Sequence, residues 1–203
     1  MYLRKVKAVE LKCPLGLSDD CFEPDPTYAL NFMLDTSAIN KLAEKPEDLK
    51  LVTLAKKQLG YVYFRNHIQD REIVGMKSDG SFYEMKPNMP KKSRLMNEII
   101  ETLPIIRIPH MATLMHNAFI LDGPCHELED EGKINEVFCK VFNGNQDNYE
   151  DAVIIESAVR YNCITVSNDR DMCVNTNAVF PGKALWYKKF IEEIKVKLED
   201  MIF

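Results

Sequence analysis

No C-x-x-C pair occurs anywhere in the 203 residues, and the four histidines lack the spacing of zinc ligands, so a structural zinc site is not expected. The six cysteines, Cys13, Cys21, Cys125, Cys139, Cys163 and Cys173, read as free thiols of a reducing compartment, with Cys139 and Cys163 assigned to packing. A membrane-length apolar run is also missing. Arg4, Lys5, Lys7 and Lys12 near the start are followed by no continuous apolar stretch of signal-peptide character. The expectation is a soluble, cytoplasmic protein with no membrane partner. Basic residues are not in excess either. A net charge of −5 excludes a protein that coats nucleic acid by bulk electrostatics, but allows an acidic centre offset by bound cations and a local basic rim. There is no internal repeat and no low-complexity tract.

What is present is an ordinary globular mixture, 46% hydrophobic and 28% charged, able to bury a core. Residues 1–30 carry Pro14, Pro24 and Pro26 among charges and read as an extension; residues 31–203 read as one domain. Asn31 to Leu34 is a short apolar strand ending at Asp35-Thr36-Ser37, after which Ala38, Ile39, Leu42 and Ala43 recur at helical spacing. The alternation repeats: a helix over 51–59 stopped by Gly60, a strand over 61–64, and a helix through Ile68, Glu72 and Ile73. Residues 75–90 are polar and rich in turn formers. Helices are predicted over 93–102, 111–121 and 133–142, and Asp151 opens another. A strand over 163–166 runs into Ser167-Asn168-Asp169-Arg170-Asp171, residues 178–180 read as a weak last strand, and 185–202 as an amphipathic helix. Apolar strands separated by helices predict an α/β fold, a mainly parallel central sheet with helices on both faces.

In such a sheet the residues just beyond the carboxyl ends of the strands gather at one edge, where ligands bind. Asp35 and Asp169 occupy that position; Asp151 reaches it only if the segment before it leads there. Singly, each acid has a plain explanation as a helix cap, a turn residue or a solvated side chain. Together, carboxylates meeting without Lys or Arg partners repel one another unless a divalent cation lies among them, and oxygen-only ligands suit Mg²⁺ or Mn²⁺. Such a cation promotes attack of water on a phosphodiester.

The segment from Phe32 to Ser37 resembles the opening strand of PIN domains. His67 to Ile73 is similar to their second acidic segment, Asp151 to Ile155 with Ala158 to the third, and Val166 to Met172 to the fourth. The resemblance spans Asn31 to Ala184. It implies a PIN-like three-layer sandwich and a metal-dependent endoribonuclease, either the toxin of a toxin and antitoxin pair or an RNA-processing enzyme. Asp35, Glu72, Asp151 and Asp169 would then hold one or two Mg²⁺ or Mn²⁺ ions, with Asp70 in reserve for Glu72. Thr36, Ser37, Ser167 and Asp171 would support them.

Lys86, Lys91, Lys92 and Arg94 are candidates for contact with RNA, against the plainer reading of a solvated loop. The stripe Leu185, Trp186, Phe190, Ile191, Ile194 and Leu198 suits the protein's own core first and a homodimer or partner second. His110, His116 and His126 are read as structural. Three other readings compete: a PIN-like module that binds RNA or protein without cutting, a haloacid-dehalogenase-like phosphatase with Asp35 as nucleophile, and a response-regulator receiver. The phosphatase wants an Asp where Ser37 stands, and the receiver wants paired acids ahead of its phosphorylated Asp.

Overall fold

The structure, a computed structural model, describes residues 3–5, 22–24, 30–75, 89–108 and 131–201. Five strands form one all-parallel sheet: β3 (Asn31–Leu34), β4 (Val62–Arg65), β5 (Ile106–Arg107), β6 (Ile164–Ser167) and β7 (Ala184–Trp186), in the order β5-β4-β3-β6-β7. Two further short strands, β1 (Leu3–Lys5) and β2 (Phe22–Pro24), pair antiparallel apart from it. The eight α-helices among the described residues are α1 (Thr36–Glu44), α2 (Pro46–Gln58), α3 (His67–Val74), α4 (Met89–Thr102), α5 (Glu131–Phe142), α6 (Tyr149–Arg160), α7 (Arg170–Val179) and α8 (Tyr187–Asp200).

Alternate residues of the central strands face opposite layers, as a pleated strand requires. Phe32 and Leu34 join Tyr63 in a core with Ile39 of α1, Val52 of α2 and Phe190 of α8. Met33 joins Val62 and Phe64 against Val137 of α5 and Ile154 of α6. Covered on both faces, the strands are continuous apolar runs rather than alternating ones. The result is an α/β fold in three layers, as expected.

The strand order reverses at β3. From β3 the chain builds outward through β4 to β5, then returns to the opposite side for β6 and β7. The carboxyl ends of β3 and β6 therefore flank a topological switch point, the crevice that doubly wound sheets use for ligands.

Several sequence expectations need correction. Ala178 and Val179 belong to α7, not to a strand; the edge strand is Ala184–Trp186, after a turn in which Gly182 has φ +80°. An apolar run of three residues does not distinguish the two conformations, and the cap that Asp169 provides at the other end decides for helix. Leu185 and Trp186 accordingly lie in β7, while Phe190, Ile191, Ile194 and Leu198 of α8 pack into the protein's own core. Helices α2 and α4 begin earlier than predicted, with Pro46 and Pro90 in their first turns, where a missing N–H costs no hydrogen bond. Cys163 is buried as expected, but Cys139 is exposed. The predicted helix 111–121, His110, His116 and His126, and Cys13, Cys21 and Cys125 lie outside the described residues. Among the described residues no helix is long and apolar enough to cross a membrane.

Candidate functional site

Asp35 follows the last residue of β3 and caps α1. Its carboxylate accepts hydrogen bonds from the Thr36 N–H at 2.7 Å and the Ser37 N–H at 3.3 Å. The Ser37 and Ser167 hydroxyls both donate to its Oδ2, at 2.5 and 2.9 Å. Each hydroxyl oxygen also accepts an N–H from the β6–α7 turn: Asn168 N–H reaches Ser37 Oγ at 2.9 Å, and Asp169 N–H reaches Ser167 Oγ at 3.0 Å. With both protons committed to Asp35, the 3.2 Å approach of the two serine oxygens is a contact rather than a third bond. The turns after β3 and β6 are thus stitched together at the switch point. Burial raises the Asp35 pKa, and these hydrogen bonds oppose that rise.

Glu72 is placed by the start of its helix. Asn66 and Gln69 form a capping box: Asn66 Oδ1 accepts the Ile68 N–H at 3.0 Å, and Gln69 Oε1 accepts the Asn66 N–H at 2.5 Å. Gln69 Nε2 also donates to the Leu34 carbonyl at the end of β3, and Asn66 Nδ2 to Ser157 Oγ of α6 at 3.2 Å. One polar cluster therefore fixes α3 against both β3 and α6. Glu72 then meets the Thr36 hydroxyl, which donates to its Oε2. Gly75, with φ +76°, ends the helix in the left-handed conformation that glycine adopts without penalty.

Asp151 lies half-buried in the first turn of α6, brought to the sheet edge by a tight turn in which Asn143 and Gly144 have positive φ and Asn145 caps Asp147. Asp169 is exposed and caps α7, accepting N–H groups of Asp171 at 2.8 Å and Met172 at 3.1 Å.

The electrostatics tie the four acids into one group. Glu72 is pushed up to about 8 by burial first, then by Asp35, with Glu150 and Asp151 adding to it and Thr36 opposing. Asp151 is pushed up to about 7 by burial, then by Asp35, Asp169 and Glu150. Among the described residues no cation stands with the groups that act on either. The donors are all oxygen and their summed charge is strongly negative, which suits a hard divalent cation. As they stand, however, Asp35 and Glu72 are held by hydroxyl and amide donors. Among the described residues no group of three or more His, Cys, Asp or Glu side chains is drawn together closely enough to hold a metal.

The remaining candidates separate clearly. Thr36, Ser37 and Ser167 hold the acids directly; Asp171 is exposed and contributes its N–H to Asp169. Asp70 is no reserve for Glu72, because Arg65 and Arg107 both grip it at 2.9 Å. Lys91, Lys92 and Arg94 are exposed on α4 rather than in a loop, and Arg94 pairs with Glu98 at 2.9 Å. Lys86 lies outside the described residues.

Three contributors escaped the sequence reading. Glu150 joins the acidic group and pairs with Arg71 at 3.5 Å. Its place beside Asp151 was the available signal. Asn66 and Gln69 carry the N-x-x-Q form of a capping box just before an apolar helix, which a search for caps finds.

No protein-family model matches the chain, and no curated protein matches it. Among solved structures it is similar to the crystal structure of PAE2754 from Pyrobaculum aerophilum, with a TM-score of 0.45 and 14% identity, over 83% of this chain and 97% of that one.

Proposed function

We propose that the chain is an endonuclease of the PIN-domain kind, hydrolysing phosphodiester bonds of RNA with the help of Mg²⁺ or Mn²⁺ held by Asp35, Glu72, Asp151 and Asp169. The observation that carries this reading is the elevation of Glu72, to about 8, and Asp151, to about 7, by burial and then by Asp35 and neighbouring acids, at a topological switch point where, among the described residues, no side-chain cation is seen to lower either. Repulsion of that kind is destabilising unless the site serves a positive ligand. When bound there, a divalent cation supplies the positive charge that stabilises a phosphodiester undergoing in-line displacement.

The side chains of the chain itself do the positioning. Ser37 and Ser167 fix Asp35 by donating to one of its oxygens, and Thr36 aims Glu72 at the same edge. Nothing in the arrangement calls for a covalent nucleophile. An acidic chain still has to hold a polyanion, and positive potential exists beside the acids: Arg71 and Arg107, after burial, push His67 down to about 4. The setting proposed is the cytoplasm, either as the toxin partner of an antitoxin or as an RNA-processing enzyme.

A second reading, a PIN-like module that binds RNA or protein without cutting, draws on the engagement of Asp35 and Glu72 by serine and threonine hydroxyls in the present arrangement. Labelled single-stranded RNA and matching DNA, incubated with Mn²⁺, Mg²⁺ or EDTA, separate the two. Cutting that needs the cation and disappears in Asp35→Asn and Asp151→Asn supports the nuclease. A folded protein that binds RNA and never cuts it supports the module.

A further inference from the structure

On the β7 side of the acidic edge, the Arg170 guanidinium lies over the ring of Trp186, 4.1 Å from its centroid. Arg170 is the first residue of α7, immediately after Asp169, and its side chain is exposed. Trp186, the chain's single tryptophan, ends β7 in direct register with Ser167, the residue whose hydroxyl donates to Asp35. Strand pairing therefore places the indole one strand from the acids, at the same carboxyl edge.

The pair is rigidly mounted. Further along α7, Asn177 exchanges two hydrogen bonds with Ala184 at the start of β7, its Nδ2 donating to the carbonyl at 2.8 Å and its Oδ1 accepting the N–H at 3.1 Å. Helix and strand are thus joined at both ends, by Asn177 with Ala184 and by Arg170 with Trp186. Among the described residues no carboxylate pairs with Arg170, although Asp169 and Asp171 are its chain neighbours. A guanidinium resting on an indole keeps its N–H edge free and in a fixed orientation, and that fork matches a phosphate. Drawn into an ion pair with Asp169 instead, it would cancel the charge the site depends on.

The geometry points to Arg170, positioned by Trp186, as the contact for a backbone phosphate of a single-stranded polynucleotide lying beside the scissile bond. This rests on the nuclease reading for the direction of the strand across the edge. It does not rest on that reading for the contact itself. An arginine and an aromatic ring side by side are the elements with which proteins hold single strands without reading their sequence. The plainer alternative is that the guanidinium only covers the indole face, and the two differ in what happens when charge is removed while cover is kept.

The single tryptophan makes the test direct. Wild-type protein, Arg170→Met and Arg170→Lys are titrated with a short oligouridylate in EDTA, so that binding is seen without cutting. Trp186 emission and the anisotropy of labelled oligouridylate are followed over a range of salt, and thermal melts verify the fold of each variant. Expected are a saturable change in Trp186 emission in the wild type and a loss of affinity of about tenfold in Arg170→Met, with the salt slope reduced by about 0.7, the loss of one single-strand phosphate contact. Arg170→Lys should recover the slope and only part of the affinity. Unchanged affinity and slope in Arg170→Met, binding that leaves Trp186 emission unaltered, or no binding by the wild type would each overturn the inference. Cleavage in Mn²⁺ is scored separately. Binding through Arg170 without cutting sinks the nuclease reading alone, whereas cutting with an unchanged KM in Arg170→Met sinks this inference alone.

Discussion

Thr36 Oγ1 donates a hydrogen bond to Glu72 Oε2, joining the first turn of α1 to α3 across the carboxyl ends of β3 and β4. Among the described residues it is the one interaction acting on Glu72 that favours its charged form, while burial, Asp35, Glu150 and Asp151 all oppose it.

Replacing Thr36 with Val keeps the shape and removes that donor. The Glu72 pKa should rise further above about 8. Stability at pH 8 should fall by about 1 kcal/mol, the usual net worth of such a bond. Urea unfolding at pH 6 and pH 8 reads both effects. Thr36→Ser should restore the wild-type behaviour, and equal losses at the two pH values would show that the bond does not act through the charge of Glu72.

The raised carboxyls also set how stability depends on pH. From pH 6.5 to 8 the unfolded chain holds Glu72 and Asp151 fully ionised, whereas the folded protein, with values of about 8 and 7, still binds protons there. Stability therefore falls as pH rises through this window. His67, pushed down to about 4, works in the opposite direction and fades as pH rises past the ordinary histidine value, so the acids dominate the upper part of this window. The melting temperature should drop between pH 6.5 and 8 and be restored at pH 8 by millimolar Mg²⁺ or Mn²⁺. Asp151→Asn should flatten the profile and stabilise the cation-free protein at pH 8 by on the order of 1 to 3 kcal/mol. A melting temperature at pH 8 that ignores both cations would remove the basis of the metal reading.

How far the sequence carried this picture depended on whether a signal was local. Asp35 and Asp169 were legible because each lies within two residues of the end of a buried strand, and the layer order followed from the alternation of those strands with helices. The bond from Thr36 to Glu72 and the ion pair from Arg71 to Glu150 span distant segments and leave no local pattern. The turn around Gly182 misled for another reason: Leu185 and Trp186 share helical spacing with Phe190, so a strand and the helix after it looked like one helix. Asp70 appeared as an alternative acid, and only its two arginines, arriving from the ends of β4 and β5, assign it.

That assignment is testable by Asp70→Asn. Without its carboxylate, Arg65 and Arg107 face each other half-buried, and among the described residues Arg65 Nη1 already has no hydrogen-bond partner. Stability should fall by about 1 to 3 kcal/mol, as when one partner of a partly buried ion pair is removed. The stabilisation by Mn²⁺ at pH 8 should survive unchanged. Loss of the Mn²⁺ effect in a folded Asp70→Asn protein would return Asp70 to the acidic group.

Gln69 gives a prediction in which position and stability separate. Its amide oxygen completes the cap of α3 and its amide nitrogen holds the Leu34 carbonyl, one residue before Asp35. Gln69→Glu keeps an acceptor for the Asn66 N–H but loses the donor to Leu34 and sets a buried carboxyl against that carbonyl. Gln69→Met keeps the volume and loses both bonds. Each should cost about 1 to 2 kcal/mol, the range for a lost cap or a buried carbonyl left without its donor. The sharper consequence concerns Glu72, one turn further along the same helix, whose placement near Asp35 draws on the tie of α3 to the end of β3. Both variants, assayed well below their melting temperatures, should therefore lose cation-dependent cutting by at least tenfold, the scale expected when a site is held about an ångström out of place. Asn40→Ala, which removes an exposed bond to Glu44 on α1, should leave cutting unchanged. Equal cutting by Gln69→Met and the wild type would show that the polar cluster serves the fold alone.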